Sequence, residues 1–134
     1  MSKKIALLHP GNMGVSVGRC ATQAGHHVAW VSEGRSEKTI ERACSAGFRM
    51  HETLDKLLGD SEIVMSVCPP SAAISTAMEV ADFGFSGVYL DANAISPETT
   101  LEIAKIIHRC GAKYVDGGII GPPADEENTT RLYL

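Results

Sequence analysis

Three glycines follow the first apolar run of the chain, in the segment IALLHPGNMGVSVG. Gly11 and Gly14 are separated by two residues, and Gly18 follows about one helical turn later. Glycines in this arrangement allow the backbone N–H groups at the start of a helix to approach a phosphate, which the helix dipole attracts. The first candidates for a phosphate-binding turn are therefore Gly11, Asn12, Met13 and Gly14.

The pattern departs from the glycine turn G-x-G-x-x-G at one position, because His9 stands where the first glycine is expected. Pro10 fixes its own φ angle and disfavours helical geometry in the residue before it. We therefore expect His9 to be extended, so that the strand runs one residue further and turns at Gly11. The amides from 11 to 14 then remain available to a phosphate.

The end of the second apolar strand, HVAWV, bears on the kind of nucleotide. A carboxylate there holds the ribose 2′-hydroxyl of NAD, whereas a neutral residue with an arginine nearby accommodates the 2′-phosphate of NADP. If the strand ends at Ser32, Arg35 and Ser36 can bind a 2′-phosphate. If the strand runs one residue longer, Glu33 takes the place beside the ribose, and the expected cofactor is NAD. The sequence favours NADP, with NAD as the alternative, although Glu33 and Arg35 could also be solvated loop charges.

The composition is that of a globular domain. The 134 residues are 44% hydrophobic and 21% charged, which suits one domain with its own core. A net charge of −4, without a basic stripe, gives no support for binding nucleic acid or an anionic membrane. The apolar runs are too short to span a bilayer, and no secretory h-region is visible. The four cysteines show neither zinc-ligand nor disulfide spacing, so we expect no metal and a reduced, cytoplasmic setting.

Strands and helices alternate along the chain, which predicts an α/β fold: a Rossmann-type doubly wound parallel sheet in a single domain. The predicted strands are Lys4–Leu8, HVAWV, a short strand near Phe48, EIVMSV, GVYLDA and AKYVDG. The predicted helices run from Asn12 to Ala24, from an N-cap at Ser36, over 53–58, and from N-caps at Ser71 and Ser96.

Apolar spacing predicts which face of each helix is buried. For the first helix the predicted stripe is Met13, Val17, Cys20, Ala21 and Ala24. For the helix after Ser71 it is Ile74, Ala77, Met78 and Ala81.

Four motifs in order give a family resemblance over essentially the whole chain. HPGNMG with AGHHVAWVSEGRS, then SVCPP, LDANAISP and VDGGIIGPP, resemble the amino-terminal domain of the 3-hydroxyisobutyrate and 6-phosphogluconate dehydrogenase superfamily. The resemblance implies an NAD(P)-dependent oxidoreductase that transfers hydride between nicotinamide and a small hydroxy acid, or a related carbonyl or imine. It also implies a helical second domain, absent from this chain, that carries the catalytic lysine and a homodimer interface. We therefore assign no catalytic residue here.

The resemblance assigns roles to individual positions. Asn12 and Met13 would lie against the pyrophosphate and nicotinamide side of the cofactor. Asn93 would lie beside the nicotinamide and the substrate, where the family usually has serine, and Gly121 would begin the substrate loop. Cofactor-ribose contacts are implied for Cys68, Pro69 and Pro70. The serine that precedes the loop glycine in the family is Ile120 here, so the substrate of the family cannot be assigned to this chain.

These motifs divide the chain into two parts. We expect the NAD(P)-binding domain to cover residues 1–118, and residues 119–134 to hold the substrate loop and the opening of a further strand, RLYL. The polar connection GPPADEENTT lies between them, and the strand-like ending suggests a truncated protein.

Two hypotheses that assign the chain to other classes of protein remain. A non-catalytic nucleotide-sensing module is consistent with Ile120 and the missing lysine. A methyltransferase also opens with a glycine turn, but Arg35 and Ser36 suit a 2′-phosphate better than a ribose diol. Asp91 and Asp116, at strand ends, could be catalytic carboxylates or could accept hydrogen bonds from loop amides.

Overall fold

The computed structural model describes residues 1–124, 126–127 and 129–134. Six parallel strands form one sheet in the order β3-β2-β1-β4-β5-β6, which confirms the predicted doubly wound α/β architecture. The strands are β1 Lys4–Leu8, β2 His27–Val31, β3 Arg49–His51, β4 Ile63–Ser66, β5 Val88–Asp91 and β6 Lys113–Asp116. The helices are α1 Asn12–Gln23, α2 Glu37–Ser45, α3 Leu54–Gly59, α4 Ala73–Phe83 and α5 Pro97–Arg109.

A short hairpin follows the sheet. β7, Gly118–Ile120, pairs antiparallel with β8, Arg131–Tyr133, so the predicted strand in RLYL is present. In the polar connection between them, Asp125 and Asn128 lie outside the described residues. Within the described part of the chain, no helix has the length and apolarity needed to cross a membrane.

The sheet separates two hydrophobic cores because successive strand residues point to opposite faces. On one face Ile5 and Leu7 pack with residues of α1 and α2. On the other, Ala6 and Leu8 pack with residues of α3, α4 and α5. Both faces of β1 are therefore buried, as expected of a central parallel strand.

Serine caps fix two helix starts where the sequence predicts them. The Ser36 hydroxyl accepts a hydrogen bond from the Thr39 N–H at 3.2 Å, and Ser96 caps α5 in the same way through Thr99. The predicted cap at Ser71 is wrong. Ser71 lies in a 3₁₀ turn, Pro70–Ala72, and α4 begins after it.

The buried faces of α1 and α4 differ from the predicted apolar stripes. In α1, Cys20 and Ala24 are exposed, and the fully buried residues are Gly14, Val15, Ser16 and Gly18. In α4, Met78 is 50% exposed, and the buried residues are Ala73, Thr76, Ala77 and Val80. In α1, small residues occupy this face because the helix lies close to the sheet, which a hydrophobicity pattern does not register.

Gly18 shows how close this approach is. A Cβ added at Gly18 would lie 2.5 Å from Cζ of Phe48 and 3.1 Å from Cδ2 of Leu7. Both neighbours belong to the core, so neither can move without disturbing other contacts. The absence of a side chain at Gly18 therefore allows α1 to lie against the sheet.

We expect Gly18→Ala to lower the free energy of unfolding by about 1–3 kcal/mol because it overpacks this contact. Gly59→Ala is the matched control, since Gly59 is also helical and its added Cβ would meet only Phe83 at 3.9 Å. The control should stay within about 0.5 kcal/mol of the parent protein or exceed it. Urea denaturation measures both, and equal effects of the two substitutions would contradict the packing argument.

Candidate nucleotide-binding site

A cavity of about 330 Å³ opens at the carboxyl ends of β1 and β4. These two strands are where the strand order reverses, and open α/β sheets bind ligands in the crevice at such a point. The cavity is lined by His9, Gly11, Asn12, Met13, Gly14, Arg35, Thr39, Val67, Cys68 and Pro69. The structure thus brings seven of the predicted cofactor-binding residues to one place. Ser32, Ser36, Pro70 and Asn93 are not among the residues that line it.

The glycine turn presents the start of α1 to this cavity. Gly11 is the N-cap, in extended geometry, and as a glycine it makes no side-chain hydrogen bond to the first helical turn. The N–H groups of that turn therefore lack a side-chain acceptor, which is the arrangement that binds anions. A Cβ at Gly14 would lie 2.9 Å from the His9 carbonyl oxygen, so Gly14 keeps the helix start close to the end of β1.

The expectation that His9 is extended is wrong. Its φ angle is +61°, and it is the one non-glycine residue with positive φ in the described part of the chain. After it the chain reverses in a three-residue turn around Pro10, in which the Gly11 N–H donates to the His9 carbonyl at 2.7 Å. The turn needs the left-handed geometry that glycine usually provides at this position, so His9 adopts it despite the steric cost of its Cβ.

The His9 ring is held at both nitrogens. Nη1 of Arg35 lies 2.7 Å from Nδ1, and Oγ1 of Thr76 lies 3.2 Å from Nε2. A guanidinium can only donate, so Nδ1 accepts and the neutral ring carries its proton on Nε2, which donates to Thr76. Burial, and to a lesser extent the positive charge of Arg35, lowers the pKa of His9 from 6.5 to about 4. His9 is therefore uncharged at neutral pH.

A turn after β2 places Arg35 next to His9. β2 ends at Val31, and the Arg35 N–H donates to the Ser32 carbonyl at 3.0 Å, with Gly34 at a φ angle of +71°. β2 thus ends one residue before Ser32 and does not extend to Glu33, which lies exposed in the turn. The Ser36 hydroxyl already serves as the cap of α2.

Two residues of α2 that sequence reasoning missed also lie near the turn. Thr39 lines the cavity, and Nη1 of Arg42 donates to the Pro10 carbonyl at 3.5 Å. They lie three positions apart and therefore share a face of the helix. The cap at Ser36, which the sequence does reveal, fixes where α2 begins and was the signal that could have placed both.

Asn93 is buried and joins the ends of β4 and β5. Its Oδ1 accepts from the Cys68 N–H at 2.7 Å, its Nδ2 donates to Oγ of Ser66 at 3.0 Å, and its own N–H donates to Oδ1 of Asp91 at 3.0 Å. Asn93 also borders a second cavity of about 670 Å³, which Asp116 and Tyr133 line as well. Its contact with a nicotinamide or a substrate stays a prediction.

The other titratable groups at this edge are poor candidates for chemistry. Burial raises the pKa of the Cys68 thiol, which disfavours the thiolate. Asp91 is fully buried, and burial raises the pKa of its carboxyl as well. Because Asp91 accepts from a loop amide, its geometry fits the capping interpretation. No group of three or more His, Cys, Asp or Glu side chains suited to a metal occurs among the described residues.

Gly121 lies in the hairpin connection, directly after the exposed Ile120. Its φ angle is +125°, and a Cβ there would collide with the Thr129 carbonyl. The hairpin itself therefore requires a glycine at this position, and its proposed part in a substrate loop stays a prediction.

The strand order and the glycine turn together define a dinucleotide-binding type of α/β domain. The chain belongs to the family described as the NAD binding domain of 6-phosphogluconate dehydrogenase, which it matches over residues 4–132. This confirms the resemblance expected from the sequence motifs.

Individual relatives agree with this membership. The chain is 22% identical over 138 residues to mitochondrial 3-hydroxyisobutyrate dehydrogenase of Drosophila melanogaster, covering 99% of this chain and 41% of that protein. A conserved protein of unknown function with structural similarity to 3-hydroxyacid dehydrogenases superposes with a TM-score of 0.85 and 26% identity, over 96% of this chain and 48% of that one. An imine reductase variant from Myxococcus stipitatus, in complex with NAD⁺, superposes with a TM-score of 0.79 and 18% identity, over 92% of this chain and 43% of that one. The chain spans less than half the length of each.

The lowered pKa of His9 predicts a pH dependence of stability. Between pH 6.5 and about 4 the unfolded chain binds a proton at His9 that the folded chain does not, so the free energy of unfolding should fall as the pH falls through this range. His9→Asn, which tolerates positive φ and does not titrate, should show a shallower fall. Urea denaturation at a series of pH values tests this, because the carboxyl groups that also titrate are common to both proteins. Parallel curves would contradict a buried, neutral His9.

Proposed function

We propose that this chain is the NADP-binding domain of an oxidoreductase that transfers hydride between a nicotinamide cofactor and a small hydroxy acid, or a related carbonyl or imine compound. The observation that carries the proposal is the position of Arg35, which lines the same cavity as the glycine turn while Glu33 is exposed in the loop. The family membership supports dinucleotide binding. The relatives support the substrate classes, since one is a hydroxyacid dehydrogenase and another an imine reductase.

The residues of the cavity suit the parts of a dinucleotide. The N–H groups at the start of α1 would bind the diphosphate, and Arg35 would bind a 2′-phosphate through paired hydrogen bonds. Cys68 and Pro69 would pack against the adjoining ribose. Nicotinamide, when bound, supplies the hydride chemistry, and this chain supplies binding and orientation.

A nucleotide-sensing module is the second candidate function. It is favoured by the environments of Cys68 and Asp91, since burial raises the pKa of the Cys68 thiol and the Asp91 carboxyl is fully buried. In this case the chain binds the same cofactor without turnover. Both functions therefore share the binding predictions that follow.

We expect the chain to bind NADPH more tightly than NADH, because only NADPH carries a 2′-phosphate for Arg35 to pair with. Isothermal titration of each dinucleotide at pH 7.5 and at low and high salt measures the difference, which should shrink as salt screens the charges. A preference for NADH would contradict the assignment to NADP and restore NAD as the cofactor.

Arg35→Ala should weaken NADPH binding by about 1.5–3 kcal/mol, the usual contribution of a hydrogen bond to a charged group, and leave NADH binding nearly unchanged. Arg109→Ala is the control, since Arg109 is exposed in the last turn of α5 and does not line the cavity. Titration of both variants with both dinucleotides tests this. Equal losses for NADPH and NADH would show that Arg35 supports the loop and does not contact a 2′-phosphate.

A further inference from the structure

His9 combines an unfavourable backbone with two side-chain hydrogen bonds. Its left-handed geometry costs about 1–2 kcal/mol in a non-glycine residue, whereas glycine would adopt it freely. Strain of this kind persists where the surroundings impose it, and often at functional sites. The side chain must therefore contribute something that glycine cannot, and the contacts of the ring indicate what that is.

The ring lies between two cavities that both include Arg35. One is the larger cavity with the glycine turn. The other holds only about 60 Å³ and is lined by Glu33 and Glu79 as well as by His9 and Arg35. The guanidinium thus has two possible partners: a phosphate on one side and carboxylates on the other. Without a third contact, the attraction of Glu33 and Glu79 would draw Arg35 toward the smaller cavity.

The hydrogen bond to His9 is that third contact. The hydrogen bond at Nη1 restrains the direction of the guanidinium, and its Nε–Nη2 edge is left for a planar pair of oxygens. Nε of Arg35 is buried without a hydrogen-bond partner among the described residues. A buried donor without a partner is unfavourable, and a phosphate oxygen would satisfy it.

The other side of the ring is anchored as well. Thr76 is buried in α4, and its hydroxyl accepts from Nε2 of His9. The ring is therefore fixed between a helix on one side and a loop arginine on the other. Donation from Arg35 to His9 and from His9 to Thr76 forms one chain of hydrogen bonds, in which each bond strengthens the next.

We propose that His9 is a positioning residue for cofactor specificity, which holds the Arg35 guanidinium in place to receive the 2′-phosphate of NADP. The inference rests on the proposed NADP function. It assigns to His9 a role that the glycine of the turn motif does not have, and it makes the departure from that motif part of the site.

His9→Gly tests this because glycine keeps the turn and removes only the ring. We expect NADPH affinity to fall about five- to tenfold while NADH affinity stays within about twofold, since a tenfold change is 1.4 kcal/mol, the order of one hydrogen bond. Thr76→Val should lower NADPH affinity less, in the same direction. His27→Asn is the control, since His27 lies at the amino end of β2, away from the cavity, and it should change neither affinity.

A double-substitution cycle separates positioning from a structural role. In the Arg35→Ala background His9→Gly should have no further effect on NADPH, because the group that His9 positions is gone. Additive losses would overturn the proposal, and so would a His9→Gly variant that binds both dinucleotides more tightly, since the ring would then only obstruct the diphosphate. If the parent protein prefers NADH, the proposed function fails and this inference with it. If the parent prefers NADPH and His9→Gly retains that preference undiminished, only the role of His9 fails.

Discussion

The close approach of α1 to β1 is the constraint on which the site depends. At Gly14 a side chain would collide with the backbone of His9, and at Gly18 it would collide with Phe48 and Leu7. Because nothing stands between helix and strand, the chain must reverse within three residues after β1. That reversal directs the first N–H groups of α1 into the crevice where the strand order changes. The packing of α1 and the proposed binding of a diphosphate therefore depend on the same two glycines.

The same tight reversal gives the ninth residue its left-handed backbone and directs its side chain toward β2 and α4. The ring lies within hydrogen-bond distance of Arg35 and Thr76, which follow β2 and β4, the two strands that flank β1 in the sheet. A backbone requirement of the glycine turn is in this way linked to the loop that carries Arg35. The neutral state of the ring, which burial enforces, is what allows it to accept from a cation.

Local signals in the sequence were sufficient for most of the fold and for part of the site. Ser36 and Ser96 cap helices where short-range hydrogen bonding predicts, and the alternating apolar runs predict the sheet. The geometry of His9 could not be predicted, because the preference of a residue before proline is weaker than the demand of the helix contact that follows. Thr76 was missed for a different reason, since the partner that allows its burial lies 67 positions away in the chain. Apolar periodicity misassigned the inner face of α1 because glycines pack there without side chains.

The two ends of the crevice are built in different ways. Near β4 and β5, Asn93 uses both ends of its amide, and the buried Asp91 accepts from the Asn93 N–H, so hydrogen bonds tie the two strand ends together. Near β2, Arg35 on the turn after the strand carries the charge, and its direction depends on neighbouring side chains. A substitution at the first end disturbs the contact between two central strands, whereas one at the second leaves the sheet intact. If Arg35 binds a 2′-phosphate as proposed, cofactor preference could therefore change at the end of the crevice where a substitution leaves the sheet intact.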